Sequence, residues 1–413
     1  MNRSGLQTKV ASGTVLLRQH MPELDALRGV AVLLVLFYHG FGFAFGIGGL
    51  SGVPRLLVAA TLPGWIGVNL FFVLSGFLIS GILVDTKQRP DYYRRFYSRR
   101  ALRILPLYYA VLGLFAALSR AGLIERSSSW GFIGISFIYL ANLSDLFGIP
   151  IQYGVLWTLS IEEHFYLLWP AVIRRFSRRT IAFIAAGIFV LCLLLRLLYC
   201  LLGYEIGTGY TWLYADGLAL GAVLACIVRG PWGTRHGIRM LTTVLLGSSL
   251  FLFIGGAPFG IFLASHRTGQ VLRASLLNLF FGGLVLLVLL LGTSGWKRIV
   301  NGGFLRFFGD ISYGVYLLHM LIFDLTDSFF RILPPSIFPR GHFAFMVLRF
   351  CAGGGATVGI AYLSRWYFEE PFLRLKEKPK PTGSPVQQQW SFTGSEQMLT
   401  SRCQRELANP GRG

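Results

Sequence analysis

The sequence predicts an all-α, polytopic membrane helix bundle of about ten transmembrane helices with one additional re-entrant or interfacial segment. Three observations carry this. Of 413 residues, 54% are hydrophobic, 15% aromatic and only 14% charged, with a mean hydropathy of +0.59, a balance that soluble globular chains do not have. Apolar runs of bilayer length, about 20 residues at 1.5 Å each, recur along the chain. The Lys and Arg behind the formal net charge of +20 lie mostly between those runs, where they orient spans. The same charge on a soluble chain would point to nucleic acid, which is not expected as a partner here.

Eleven runs are candidates, opening near Leu24, Gly64, Leu102, Trp130, Val155, Thr180, Tyr210, Arg239, Val271, Phe304 and Phe343. Residues 1–22 are polar and lack a signal-peptide core, so the first run is expected to stay attached as the first span. The fourth run, "WGFIGISFIYLANLSDLFG", is the weak one. It carries Asn142, Asp145, two serines and three glycines, and only six residues separate it from the fifth.

Charge placement decides its fate. With the fourth run not crossing, the cytoplasm receives "DTKQRPDYYRRFYSRRALR", "RRFSRR" (residues 174–179), Arg229, Arg235, Arg239, Lys297, Arg298 and the basic tail from Arg374, while the outer loops keep single arginines such as Arg55, Arg267 and Arg331. If it crossed, "RRFSRR" would face outward, against the positive-inside rule. Ten spans follow, with both termini cytoplasmic. In the last span "AGGGATVG" suits close helix packing, and "FEEP" is expected to stop the helix at Pro371, with Glu370 pairing an inner-face arginine. The domain reading is a cytoplasmic segment at 1–22, a membrane domain at 23–375 and a disordered cytoplasmic tail at 376–413, rich in Pro, Gly, Ser and Gln.

No internal repeat marks an inverted-repeat transporter. The five cysteines (Cys192, Cys200, Cys226, Cys351, Cys403) show neither metal-ligand nor redox spacing, so no metal site and no disulfide are expected.

Ionisable groups inside a bilayer are costly and so draw functional attention. Counted from the helix rise, His39 lies about 22 Å up the first span, Glu162 and Glu163 about 10–12 Å below the outer face, His319 at a similar depth and Asp216 about 9 Å below that face. Four helices thus place such groups in one layer. Ser312, Tyr316 and His319 share one helical face, as in a substrate channel or a hydrogen-bonded bundle contact. Near the cytoplasmic side Arg28, Arg99, Arg100 and Arg103 form a basic mouth, and arginine presents a planar fork suited to phosphate.

Six ordered motifs, "LDALRGVAVLLVLFYH", "FFVLSGFLIS", "RRALRILPLYY", "LWTLSIEEHFYLLWP", "SYGVYLLH" and "FEEPF", make the chain resemble the acyltransferase-3 family of integral membrane acyltransferases. That family includes O-antigen and exopolysaccharide O-acetylases and macrolide O-acyltransferases. The resemblance implies transfer of an acyl group, usually acetyl, from cytoplasmic acyl-CoA, a co-substrate rather than a bound cofactor, to a hydroxyl, commonly on a sugar. It implies a bacterial inner membrane. Its Arg-x10-His pair falls on Arg28 and His39, its Arg-x2-Arg on Arg100 and Arg103, and its acidic motif on Glu162 and Glu163. Where many members have an Arg two residues before the aspartate of the seventh span, this chain has Tyr214 before Asp216, which argues against a paired role for Asp216. No residues correspond to the C-terminal esterase-like domain of some members.

The chemistry of the residues agrees. An imidazole suits proton removal from an attacking hydroxyl at neutral pH, so His39 is the expected base, or alternatively a transient acyl carrier. One carboxylate of Glu162 and Glu163, which stand about 100° apart on a helix, would face it, with Glu162 favoured by the resemblance. Arg28, Arg100 and Arg103 would hold the CoA phosphates. Ser312, Tyr316, His319 and Asp216 would line a substrate channel. The rival is a proton-coupled secondary transporter with His39, Glu162 and Asp216 as its relay.

Overall fold

The computed structural model describes residues 17–18, 21–204, 206, 209–263, 265–292, 302–332 and 342–375. The expected tail at 376–413, most of the N-terminal segment and the Lys297–Arg298 pair lie outside them. Every regular element among the described residues is helical.

In chain order the elements are α1 (Pro22–Phe45), α2 (Gly52–Asp85) and α3 (Tyr92–Arg120), then α4 (Trp130–Phe137), α5 (Leu156–Arg175), α6 (Arg178–Leu201) and α7 (Asp216–Val228). There follow α8 (Arg235–Phe259), α9 (Arg267–Leu291), α10 (Gly303–Asp310), α11 (Ser312–Ile332) and α12 (Phe343–Arg374). Seven of these, α1, α2, α3, α6, α8, α9 and α12, are long and apolar enough to cross a membrane. The chain is an integral membrane protein. The three other expected spans fall outside that set for physical reasons: α7 has 13 residues, while α5 and α11 carry the acid pair, histidines and aspartates of the polar interior. The count of ten therefore stays a proposal.

The fourth run does not span as a helix. Its α4 has 8 residues, about 12 Å of rise, capped by the Ser129 hydroxyl accepting from Phe132 N. It passes into a 3-10 turn at Ala141–Phe147. Irregular backbone at membrane depth needs protein partners, and α3 supplies them. The Tyr108 hydroxyl donates to Ser136 O at 2.7 Å and that of Tyr109 to Phe137 O at 3.1 Å, while Asn142 donates to Gly209 O and Thr211 Oγ1.

Small residues set the closest crossings. Gly76 on α2 lies against the Leu218 backbone of α7, and Gly221 on α7 lies against Val73 and Phe77, so a Cβ at either would collide with main chain. Gly29 of α1 meets Leu305 of α10 in the same manner. Such contacts let helices approach where lipid offers no hydrophobic drive to association.

Two helices depart from α-geometry. In α1 the turn Tyr38–Gly42 is a π-helix. In α12 a π-turn at Ser364–Glu369 precedes Glu370–Arg374, so Pro371 does not stop the helix as expected. The wider turn begins a new register in which Pro371 occupies an early position, where its missing N–H costs no intrahelical bond. Glu370 pairs with Arg365 at 2.6 Å and with Arg374 at 3.3 Å.

Candidate active site

Between α1, α2, α3, α5 and α11 lies a cavity of about 670 Å³, counting its open mouth. Its wall brings together Arg28, Arg100, Arg103, Glu162, Ser312 and Tyr316, six of the residues singled out by sequence. Three arginines against one carboxylate make this wall strongly cationic. Arg28 stands 3.6 Å from Asp25, one turn away, and the Arg100 guanidinium packs 4.0 Å over the Tyr166 ring.

Of the acid pair only Glu162 lines the cavity, as their angular separation on α5 requires. It accepts from Ser75 Oγ at 2.7 Å. Ser75 and Thr158 are cavity residues that sequence reasoning did not assign; the "VLSGF" motif was the available signal for Ser75. Thr158 Oγ1 and Tyr316 Oη are 2.6 Å apart, and Tyr316 also meets Phe71 and His319 at ring distances of 5.9 and 5.8 Å. Ser312 Oγ donates to Gly309 O at 2.8 Å.

Tyr316 forms the boundary between this cavity and an imidazole pair. His39 Nδ1 and His319 Nε2 are 3.3 Å apart, the rings 4.8 Å centre to centre. His319 is fully buried and His39 partly so. The hydrogen-bond pattern assigns the tautomers. His319 Nδ1 faces two carbonyls, Tyr316 O at 2.7 Å and Val315 O at 3.1 Å, so it must be the N–H. Its Nε2 then holds the lone pair that faces His39 Nδ1. That atom, also 3.0 Å from Val35 O, must carry the other proton, which leaves His39 Nε2 as the remaining lone pair.

The neighbour of His39 expected from sequence was a carboxylate; the structure puts His319 there instead. The eleven residues from Arg28 to His39 advance three helical turns and about 20°, so both lie near one face of α1, about 16 Å apart along the axis.

Asp216 departs furthest from its expectation. It does not line the cavity, and it is paired: Arg196 of α6 reaches it at 2.6 Å and Ser275 Oγ of α9 donates to it at 2.8 Å. Arg196 and Asp216 are 0% and 1% exposed. The arginine absent from position 214 is thus replaced by one from a different helix. A lone charge in "FVLCLLLRLLYC" was the signal for Arg196. Groups at one depth consequently fall into three environments, since the direction each helix faces separates what depth alone had grouped.

The chain matches the family model described as "Acyltransferase domain" over residues 21–366. It is similar to the peptidoglycan O-acetyltransferase OatA of Listeria monocytogenes (serovar 1/2a), 28% identical over 388 residues that cover 86% of this chain and 56% of the relative. It is also similar to the YrhL protein of Bacillus subtilis (strain 168), 28% identical over 401 residues covering 86% and 55% of the two chains. The SAS0844 protein of Staphylococcus aureus (strain MSSA476) is 25% identical over 350 residues, covering 76% and 52%. The chain spans a little over half the length of these curated relatives. No solved structure matches.

Proposed function

The chain belongs to the acyltransferase-3 family, and from that membership we propose a membrane O-acyltransferase that moves an acyl group, in the simplest case acetyl, from cytoplasmic acyl-CoA to a hydroxyl of a glycan or glycoside. The thioester C–S bond breaks and an ester C–O bond forms. The hydroxyl proton leaves through a base, and CoA departs as the free thiol.

One observation carries the reading: a cationic cavity holding Arg28, Arg100 and Arg103 adjoins, across Tyr316, an imidazole pair with its tautomers set. The arginines suit the phosphates of CoA, because guanidinium binds phosphate with two parallel charge-assisted bonds. His39 Nε2 takes the hydroxyl proton, and His319 holds the ring in that tautomer and shares the charge that develops. Glu162, tied to Ser75, orients groups on the cavity side. A peptidoglycan hydroxyl, the acceptor class named for the Listeria relative, fits within the proposed glycan class. The transporter alternative is not favoured: His39, Glu162 and Asp216 each have different partners.

Purified protein in liposomes, given acetyl-CoA and a panel of hydroxylated saccharides, tests the proposal. Release of CoA thiol that depends on the acceptor supports it. Acceptor-independent proton or solute flux without thiol release refutes it.

A further inference from the structure

We propose that Arg349, acting with Asp327, is a positioning residue for His39: it clamps the backbone of the π-turn that carries the histidine. The proposal rests on the acyl-transfer reading above for its kinetic consequences, but its geometry stands by itself.

Arg349 lies on α12, whose other polar groups take no part in the cavity. Its Nη1 donates to Gly40 O, the carbonyl of the residue after His39, at 3.0 Å. Its Nε and Nη2 grip both carboxylate oxygens of Asp327 on α11 at 2.5 and 2.7 Å. The Arg349 side chain is 5% exposed, and its guanidinium sits 4.6 Å over the Phe323 ring and 5.3 Å from the ring of Phe45. One planar group thus joins three helices: α1 through Gly40, α11 through Asp327 and α12 through its own backbone.

The place of attachment gives the clamp its meaning. Residues Tyr38–Gly42 form the π-helix of α1, a geometry that is rare and less stable than α-helix and that survives where tertiary contacts maintain it. Gly40 itself lies against Phe350, the next residue on α12, so a side chain at position 40 would displace that ring. The same α11 that supplies Asp327 also supplies His319, two turns earlier. Arg349 therefore fixes the His39 segment of α1 to the helix that holds its imidazole partner. A bidentate Arg–carboxylate pair has directional specificity that a lysine does not reproduce.

The test uses the full chain in proteoliposomes with variants Arg349→Ala, Arg349→Lys and Asp327→Asn, and His39→Ala beside them. Two readouts are taken: turnover with acetyl-CoA and an accepted saccharide, and the imidazole ¹⁵N signal of His39 by solid-state NMR. Arg349→Ala is expected to lower kcat about 100-fold, the scale of an ångström-sized misplacement, with the acetyl-CoA KM within about threefold. His39 should lose its single-tautomer ¹⁵N pattern. Arg349→Lys, which keeps the charge but not the bidentate fork, should recover part of kcat, and Asp327→Asn should fall between. A His39 signal unchanged in Arg349→Ala overturns the proposal, as does loss of kcat and donor binding in equal proportion in all three variants. Undiminished turnover in His39→Ala removes the catalytic reading of that histidine, and the ¹⁵N pattern then decides the clamp separately.

Discussion

His319 presents its Nε2 to His39 Nδ1 at 3.3 Å, and its own Nδ1 is committed to the carbonyls of Val315 and Tyr316. The hydrogen-bond pattern of the buried ring therefore sets the proton position of the other. Replacing His39 by Ala should lower kcat by 10²- to 10⁴-fold, the usual contribution of a general base. His319→Phe, which keeps bulk but removes the acceptor, should cost about 10²-fold through misorientation. His319→Gln, which retains an acceptor oxygen, should cost less. Steady-state kcat for the three variants checks the order, and full turnover in His319→Phe would contradict it.

The cavity arginines should report on donor binding. Arg28→Ala and Arg103→Ala each remove a charge from the wall but leave the imidazole pair untouched, so the acyl-CoA KM should rise while kcat changes little, the pattern of lost uniform binding. Direct CoA titration of both variants, purified to equal yield, measures this. A fall in kcat at constant KM would assign these arginines to the chemical step.

Glu162 lines the cavity and bonds Ser75, whereas Glu163 does not line it. Glu162→Gln and Glu163→Gln should consequently differ in kcat/KM by at least tenfold, about 1.4 kcal/mol of barrier, with Glu162 the more sensitive. Equal losses in the two would show that the cavity wall does not discriminate between them.

Arg196 and Asp216 form a buried pair whose separation leaves an uncompensated charge, a disruption that typically costs 3–5 kcal/mol. Asp216→Leu or Arg196→Leu alone should sharply reduce folded yield and lower the detergent melting temperature. The double Leu variant should recover much of both. A single variant with wild-type melting behaviour would argue that the pair contributes nothing to stability.

Sidedness has its own test. "RRFSRR" is expected in the cytoplasm, and Arg179 is exposed at the start of α6. A cysteine at Arg179, chosen because Ser177 caps α6 by accepting from Thr180 N, in a cysteine-free background should resist an impermeant thiol reagent in intact cells. It should react after permeabilisation. Labelling of intact cells would place this loop outside.

The cavity was more legible in the sequence than the groups around it. Arg28, Arg100, Arg103, Glu162, Ser312 and Tyr316 converge because spacing along a helix fixes both depth and relative face, and six such positions happened to point inward. Depth without direction misled for Asp216: nothing in α7 itself reveals that α6 offers Arg196 across the interface. The His39–His319 contact was hidden for the same reason, as it depends on how α1 rotates against α11. Pro371 shows a different limit, since a π-turn absorbed a residue type that ordinarily ends a helix.

The π-turn in α1 also makes the chain sensitive to its own length in an uneven way. Such a turn holds one residue more than the α-helix it interrupts. Deleting Phe41 would thus be absorbed by reversion to α-geometry, with the eleven-step spacing from Arg28 to His39 unchanged. Deleting any residue from Gly29 to Phe37, in the regular α-helix before the π-turn, has no such slack: it would shorten the separation of Arg28 and His39 by about 1.5 Å and turn one about 100° from the other's face. Insertions and deletions fixed during the divergence of this chain should accordingly be found after His39 and be absent from the positions between Arg28 and the π-turn, Gly29 to Phe37.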